Sequence, residues 1–236
     1  SQAANDWFDR HVDALNEPHR PIPSGRIPGR WGLYLALGWT LVSAGAALLL
    51  GLWGFLATMV ALALAWAYSA PPFRLKRNGW VGNLAVGLSY EGLAWITGAA
   101  VMLGGLLPST PVLLLALLYS LGAHGIMTLN DFKSREGDLR MGINSLPALL
   151  GPWGAATVAS QIMVTAQVVV ILLLVHWGNP MQALIVSALL LAQLPLMARL
   201  IREPTPRRAL EMSGFGVPLY VLGMMVSAVA IRGGVG

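Results

Sequence analysis

The chain has no cysteine. That excludes disulfides, thiolate nucleophiles and thiolate-held metals, and it leaves the redox compartment unreadable. Charged side chains are also scarce. They make up 11% of the 236 residues, where a soluble domain carries roughly 25%. So few polar side chains cannot cover a water-facing surface, and the class implied is an integral membrane protein. No secretory leader is visible either: no short basic-then-apolar stretch ends in a small-residue cleavage site. The first residue is Ser1 and a dense polar motif opens at Asn5, so the expectation is a processed or partial chain with its N-terminal part upstream.

What is present is apolar sequence in long runs, with 56% hydrophobic residues and a mean hydropathy of +0.66. A crossing helix needs about 20 mainly apolar residues, each adding about 1.5 Å across a core about 30 Å thick. Candidate spans run over 33–50, 55–68, 84–103, 112–129, 155–177, 181–200 and 215–231. Segments 51–54 and 178–180 look like tight turns between antiparallel neighbours. Open sheets cannot cross lipid, and barrel strands are short and alternating. The expected fold is therefore all-α, a polytopic transmembrane helical bundle forming one domain over 1–236.

The net charge of +5 and pI near 10.1 do not point to nucleic acid, because clustered Lys and Arg in a membrane protein mark cytoplasmic loops. Segments 1–32, 69–83, 130–147 and 199–213 hold all but one of the 15 Lys and Arg, the exception being Arg232. Seven alternating helices put those four segments on one side and 51–54, 104–110 and 177–180 on the other. Helix count and charge pattern agree on a multi-pass topology with the charged loops in the cytoplasm.

Two acidic motifs carry the chemistry. The first is Asn5-Asp6-Trp7-Phe8-Asp9-Arg10-His11-Val12-Asp13. At about 100° per residue, its three Asp fall within a sector of about 60° on a helix. Such a face persists only if solvated or compensated by cations. Hard oxygen ligands suit Mg²⁺, which binds one or two carboxylates together with substrate phosphates. Arg20, in Asn16-Glu17-Pro18-His19-Arg20-Pro21, brings a cation close in sequence to the same acids. The second motif is Asn130-Asp131-Phe132-Lys133-Ser134-Arg135-Glu136-Gly137-Asp138. Asp131 and Asp138 are seven apart, again on one helical face, and the charge pattern puts this motif on the same side as the first. Two acidic clusters at one membrane surface suit Mg²⁺ and a diphosphate.

Between them, Tyr68-Ser69-Ala70-Pro71-Pro72-Phe73-Arg74-Leu75-Lys76-Arg77 forms a proline-stiffened basic loop. Arg74 and Lys76 stand between two readings: neutralising a departing diphosphate, or ordinary cytoplasmic charge. Ordinary charge is preferred for Arg77. Glu91 lies inside a span, where a charge costs roughly 2.5–3.5 kcal/mol on insertion scales. It either lines a polar cavity or makes a structural polar contact. His124, seven before Asp131, shares its face. Either it contacts substrate, with axial ligation of a chelated Mg²⁺ as one form, or a neighbouring helix satisfies it.

Together these motifs resemble the UbiA prenyltransferase superfamily, and the resemblance covers essentially the whole chain. It rests on Asn-Asp-x-x-Asp-x-x-x-Asp at 5–13, Tyr-Ser-Ala-Pro-Pro-x-Arg-Leu-Lys at 68–76 and Asn-Asp-x-x-x-x-Glu-Gly-Asp at 130–138. Segments 16–25, 79–83 and 130–134 are similar to the chlorophyll and bacteriochlorophyll synthase branch, and 130–147 is most like bacteriochlorophyll synthase. That family has nine transmembrane helices with the first acidic motif at the end of the second. Seven visible spans then imply that the first helix and most of the second lie outside this sequence. Many relatives carry Asp where Ser134 stands here, so Asp131, one turn earlier, is expected to substitute.

The resemblance implies transfer of a geranylgeranyl or phytyl group from its diphosphate to the propionate of bacteriochlorophyllide, in a cell inner membrane. It implies Mg²⁺ as cofactor, with Asn5, Asp6, Asp9, Asp13, Asp131 and Asp138 as ligands. Asp6, Asp9, Asp131 and Asp138 form the catalytic core of that set. Arg20, Arg74 and Lys76 hold phosphate oxygens, and Glu91 and His124 are candidates for the substrate cavity. Rival readings are another UbiA enzyme acting on chlorophyllide, a quinone precursor or haem; a cation transporter; and a pigment-binding scaffold. The acids at helix ends, rather than deep in spans, argue against a transporter.

Overall fold

A computed structural model describes residues 2–232. Among them the chain is helical, with one isolated bridge between Asn78 and Asn144. The amphipathic acidic segment forms α1 (Gln2–Asn16), and α2 (Trp31–Ala47) follows it. A 3₁₀ turn (Leu48–Leu50) leads into α3 (Gly51–Ser69). Next come α4 (Gly79–Gly87), a π-helical turn (Leu88–Gly92) and α5 (Leu93–Met102), then the long α6 (Thr110–Asp131). Two short helices, α7 (Arg135–Met141) and α8 (Leu146–Leu149), precede α9 (Gly151–His176) and α10 (Pro180–Arg202). The last span joins α11 (Pro206–Glu211), a second π turn (Met212–Gly216) and α12 (Val217–Ala230).

Six helical stretches are long and apolar enough to cross a membrane. One of them, Trp31–Ser69, has 39 residues. That is about 58 Å of helix if straight, twice what one crossing needs. It is broken at Gly51, whose φ of 73° is a left-handed conformation that glycine adopts freely. A Cβ at Gly51 would also sit 2.6 Å from the Gly105 Cα. The expected turn at 51–54 thus falls earlier, at the 3₁₀ turn Leu48–Leu50 and Gly51, and Gly54 lies inside α3. With that stretch read as two crossings, each expected span has its helix. The last helix begins earlier than its hydropathy suggests, at Pro206.

Contacts gather into two compact units. The first holds residues up to Lys76 together with Leu93–Leu107, so that α1 packs on α2 and α3, and α3 on α5. The second holds Arg77–Gly92 and everything from Pro108. Within it α6 is central, packed against α4 and α9, while α10 lies on α9 and α12. Glycine and alanine permit the close approach, as is usual between helices in lipid. Gly125 faces the Ala159 carbonyl, and α9 presents Ala155, Ala156, Ala159 and Ala166 as buried residues. Two amides are also buried between α9 and α10, where Gln167 and Gln193 bond each other reciprocally at 3.3 and 2.9 Å.

Candidate active site

In the first unit, α1 presents its acids on one face and each finds a cation. The ammonium of Lys76 bonds the Asp9 carboxylate and lies 3.2 Å from the Asn5 amide oxygen, which also accepts from the Ser69 hydroxyl at 3.2 Å. Arg74 lies 3.9 Å from Asp9. Arg20 reaches back from the loop after α1 to Asp13 at 3.1 Å and Asp6 at 3.6 Å, and it also pairs with Glu17. The face that repels itself on paper is therefore held together by three basic side chains. Gln2 adds a bond to Asp6 at 2.7 Å, and Phe8 anchors the opposite side of the helix edge-on against Trp66. Burial holds the Lys76 ammonium below the ordinary lysine value, against the pull of Asp9. Burial likewise raises the Asp13 carboxyl, although Arg20 opposes it.

The basic loop is shaped to deliver these cations. Helix α3 ends at Ser69, Ala70 is extended, and a cis bond joins Pro71 to Pro72. Arg74 then turns the chain with φ of 41°, a left-handed value uncommon for a residue with a side chain. Such backbone outliers gather at functional sites. The Arg74 Nε is buried and has no acceptor. A buried guanidinium donor left open beside a carboxylate cluster suits a phosphate oxygen. Arg77 is exposed, as ordinary surface charge would be.

The second unit holds the other acids. Asp131 ends α6, and Asp138 lies in the first turn of α7, 7% exposed. The chain between them is a tight turn in which the Ser134 hydroxyl bonds the Asp138 carboxylate at 2.9 Å and the Asp131 carbonyl at 3.2 Å. Ser134 thus orients an acid. Gly142, with φ of 65°, closes α7, and Asn144 then exchanges backbone bonds with Arg77 and Gly79 at 2.9 and 2.8 Å. That bridge ties the acidic turn to the start of α4, where Asn78 caps the backbone amides of Trp80 and Val81. Among the described residues no Lys or Arg pairs with Asp131 or Asp138. Glu136 is exposed.

His124 does share the Asp131 face. Its Nε2 donates to the Trp80 carbonyl at 3.1 Å, and its ring lies 5.7 Å from the Trp80 ring, while its Nδ1 is buried without a partner. The helix-contact reading therefore has its bond, and one ring nitrogen remains open. Glu91 sits in the π turn of its span, half-buried, with no hydrogen bond or ion pair among the described residues. Single π turns in α-helices are frequent at functional sites.

Both clusters offer hard oxygen donors of the kind Mg²⁺ takes. Among the described residues no three His, Cys, Asp or Glu are grouped closely enough to hold a metal by themselves. Cations bound by one or two carboxylates and completed by substrate phosphates need no such cage. The uncompensated Asp131 and Asp138 fit that pattern directly. In the first cluster Lys76 and Arg20 already occupy carboxylate oxygens.

Asn83, Ser69, Ser134 and Thr128 were not among the expected site residues. Asn83 was visible in the motif at 79–83, but its partners lie on a helix far away in sequence.

The chain matches the UbiA prenyltransferase family over residues 1–224. It is 59% identical over 233 residues to the bacteriochlorophyll synthase 33 kDa chain of Cereibacter sphaeroides, covering 99% of this chain and 76% of that one. It is 47% identical to the 34 kDa chain of Chloroflexus aurantiacus, covering 98% and 73%. Chloroplast chlorophyll synthase of Arabidopsis thaliana is 37% identical, covering 98% and 60%. Among solved structures, one of a digeranylgeranylglyceryl phosphate synthase study aligns with a TM-score of 0.75 at 23% identity, covering 98% of this chain and 80% of that one. The UbiA homologue from Aeropyrum pernix aligns with a TM-score of 0.66 at 22% identity, covering 97% and 81%. Likeness at that identity speaks for the fold, and the sequence matches speak for descent: the chain belongs to the UbiA prenyltransferase family.

Proposed function

We propose that this membrane prenyltransferase moves a geranylgeranyl or phytyl group from its diphosphate to the propionate carboxylate of bacteriochlorophyllide. The observation that carries the reading is the pair Asp131 and Asp138, two carboxylates without a cationic partner among the described residues, in a chain whose other acidic face is lined with basic side chains. The names of its relatives supply the pigment class.

The chemistry follows from the donors and acceptors present. A carboxylate is a weak nucleophile, so the allylic C1–O bond must be well advanced in breaking before attack. Charge collecting on the leaving diphosphate has to be stabilised, and fixed cationic donors do this well in a water-poor site. Arg74, with its open Nε, and Lys76 and Arg20 bind phosphate oxygens. Asn5, Asp6, Asp9, Asp13, Asp131 and Asp138 would hold Mg²⁺. When bound, the metal would neutralise the departing diphosphate. The propionate is already ionised near neutral pH, so no general base is required. One propionate oxygen forms the ester bond and diphosphate leaves. Glu91 and His124 line the route of the apolar substrates. The spans lie in the inner membrane, with the acidic loops cytoplasmic, as the Lys and Arg distribution supports.

The test is a panel of acceptors offered with geranylgeranyl and phytyl diphosphate, the products identified by mass. Esterified bacteriochlorophyllide as the dominant product supports the assignment. Preferred prenylation of chlorophyllide, a quinone precursor or haem would reassign the acceptor.

A further inference from the structure

Asp131 is oriented by neutral hydrogen bonding, and the donor is Asn83. We propose that Asn83 is a positioning residue that presents Asp131 to a divalent cation; this rests on the metal-binding reading above.

Proton counting fixes the arrangement. The Thr128 hydroxyl donates its one proton to the His124 carbonyl, one turn back on α6, at 3.0 Å. Its oxygen can then only accept, and the Asn83 Nδ2 lies 3.3 Å away. The same nitrogen lies 3.2 Å from the Asp131 Oδ2. Both amide protons are thereby used, one on each α6 residue. The opposite flip would set an amide oxygen against a carboxylate and a committed hydroxyl, with no proton between them. One carboxylate oxygen of Asp131 is held, and Oδ1 is left for a cation.

An amide suits this task better than Lys or Arg. It fixes a carboxylate without neutralising it, so it does not compete with a metal for the charge. In the first cluster Asp9, Asp6 and Asp13 are met by cations. Burial strengthens the point. Asn83 is 6% exposed and Thr128 fully buried, where an apolar residue would pack without any polar demand. The reach is made possible by small residues on the same helix. A Cβ at Gly87 would lie 2.6 Å from the Ser120 carbonyl oxygen, and one at Gly92 2.5 Å from the Ser120 hydroxyl. The backbone from α4 through the π turn therefore lies against α6, close enough for a side chain as short as asparagine to span the gap.

Mn²⁺ binding, followed by the EPR signal of the free ion with purified protein in detergent, tests this apart from turnover. Asn83→Leu keeps the branched skeleton and removes the donor, and Asn83→Ala is the second variant should leucine prevent folding. The expected result is binding weakened about tenfold, the scale seen for outer-shell partners of metal ligands. In an Asp131→Asn background the same substitution should add no further loss. Wild-type affinity in the Asn83 variants, or an equal loss with and without Asp131, would overturn the proposal. Wild-type affinity in Asp131→Asn alone would instead overturn the metal reading on which it stands.

Discussion

Asp9 and Asp131 are both carboxylates on helix faces, yet they are held by opposite means. Asp9 is met by Lys76 and Arg74, Asp131 by the neutral amide of Asn83. The first arrangement balances charge before substrate arrives, and the second keeps charge available. If each cluster takes part in turnover, Asp9→Asn and Asp138→Asn should each lower turnover on the order of 100-fold or more, as loss of a transition-state charge contact does. Membrane insertion should be unaffected. Turnover near wild type in both, measured on matched amounts of inserted protein, would remove these acids from the reaction. The acids were legible because spacings of three, four and seven recur on a helix face. Asn83 was not, since a lone amide at the start of a span has no periodic partner. Its meaning appears only when α4 lies on α6. Ser134 was read as a missing acid, and its hydroxyl contact with Asp138 depends on a turn that hydropathy does not describe.

At the scale of helices, close approach through glycine is what assembles the second unit. A Cβ at Gly125 would meet the Ala159 carbonyl at 2.6 Å and the Met163 Cγ at 2.7 Å. Gly125→Val should therefore destabilise the packing of α6 on α9 by about 1–3 kcal/mol, the usual scale of overpacking. A Cβ at Gly38 or Gly45 meets nothing within 4 Å. Gly45→Ala should leave the thermal midpoint in detergent unchanged or raise it slightly, since alanine favours helix over glycine. Equal midpoints for Gly125→Val and Gly45→Ala would contradict the packing described here. The apolar runs anticipated where the spans lie because lipid imposes a length on them. The start of the last span was missed because Arg207, Arg208 and Glu211 pull its hydropathy down, although Arg208 pairs with both Glu203 and Glu211. Neither π turn could be anticipated, because one extra residue in a helix leaves no periodic mark over five positions.

For the whole molecule, the charge pattern and the number of crossings make one joint statement. A reporter fused within 204–207 should read cytoplasmic and one within 106–109 external. The same side for both would mean that a crossing has been miscounted, most directly at Gly51, where one 39-residue stretch is read as two spans. In the proposed reaction an allylic diphosphate is ionised and its prenyl group captured by a pigment carboxylate. The most direct measurement is the ratio of diphosphate released to ester formed by purified protein, with geranylgeranyl diphosphate, bacteriochlorophyllide and Mg²⁺ supplied together and each omitted in turn. One diphosphate should appear per ester, and no ester when any of the three is left out. Diphosphate release without ester, or ester formation that persists after chelation of the metal, would contradict the proposed reaction.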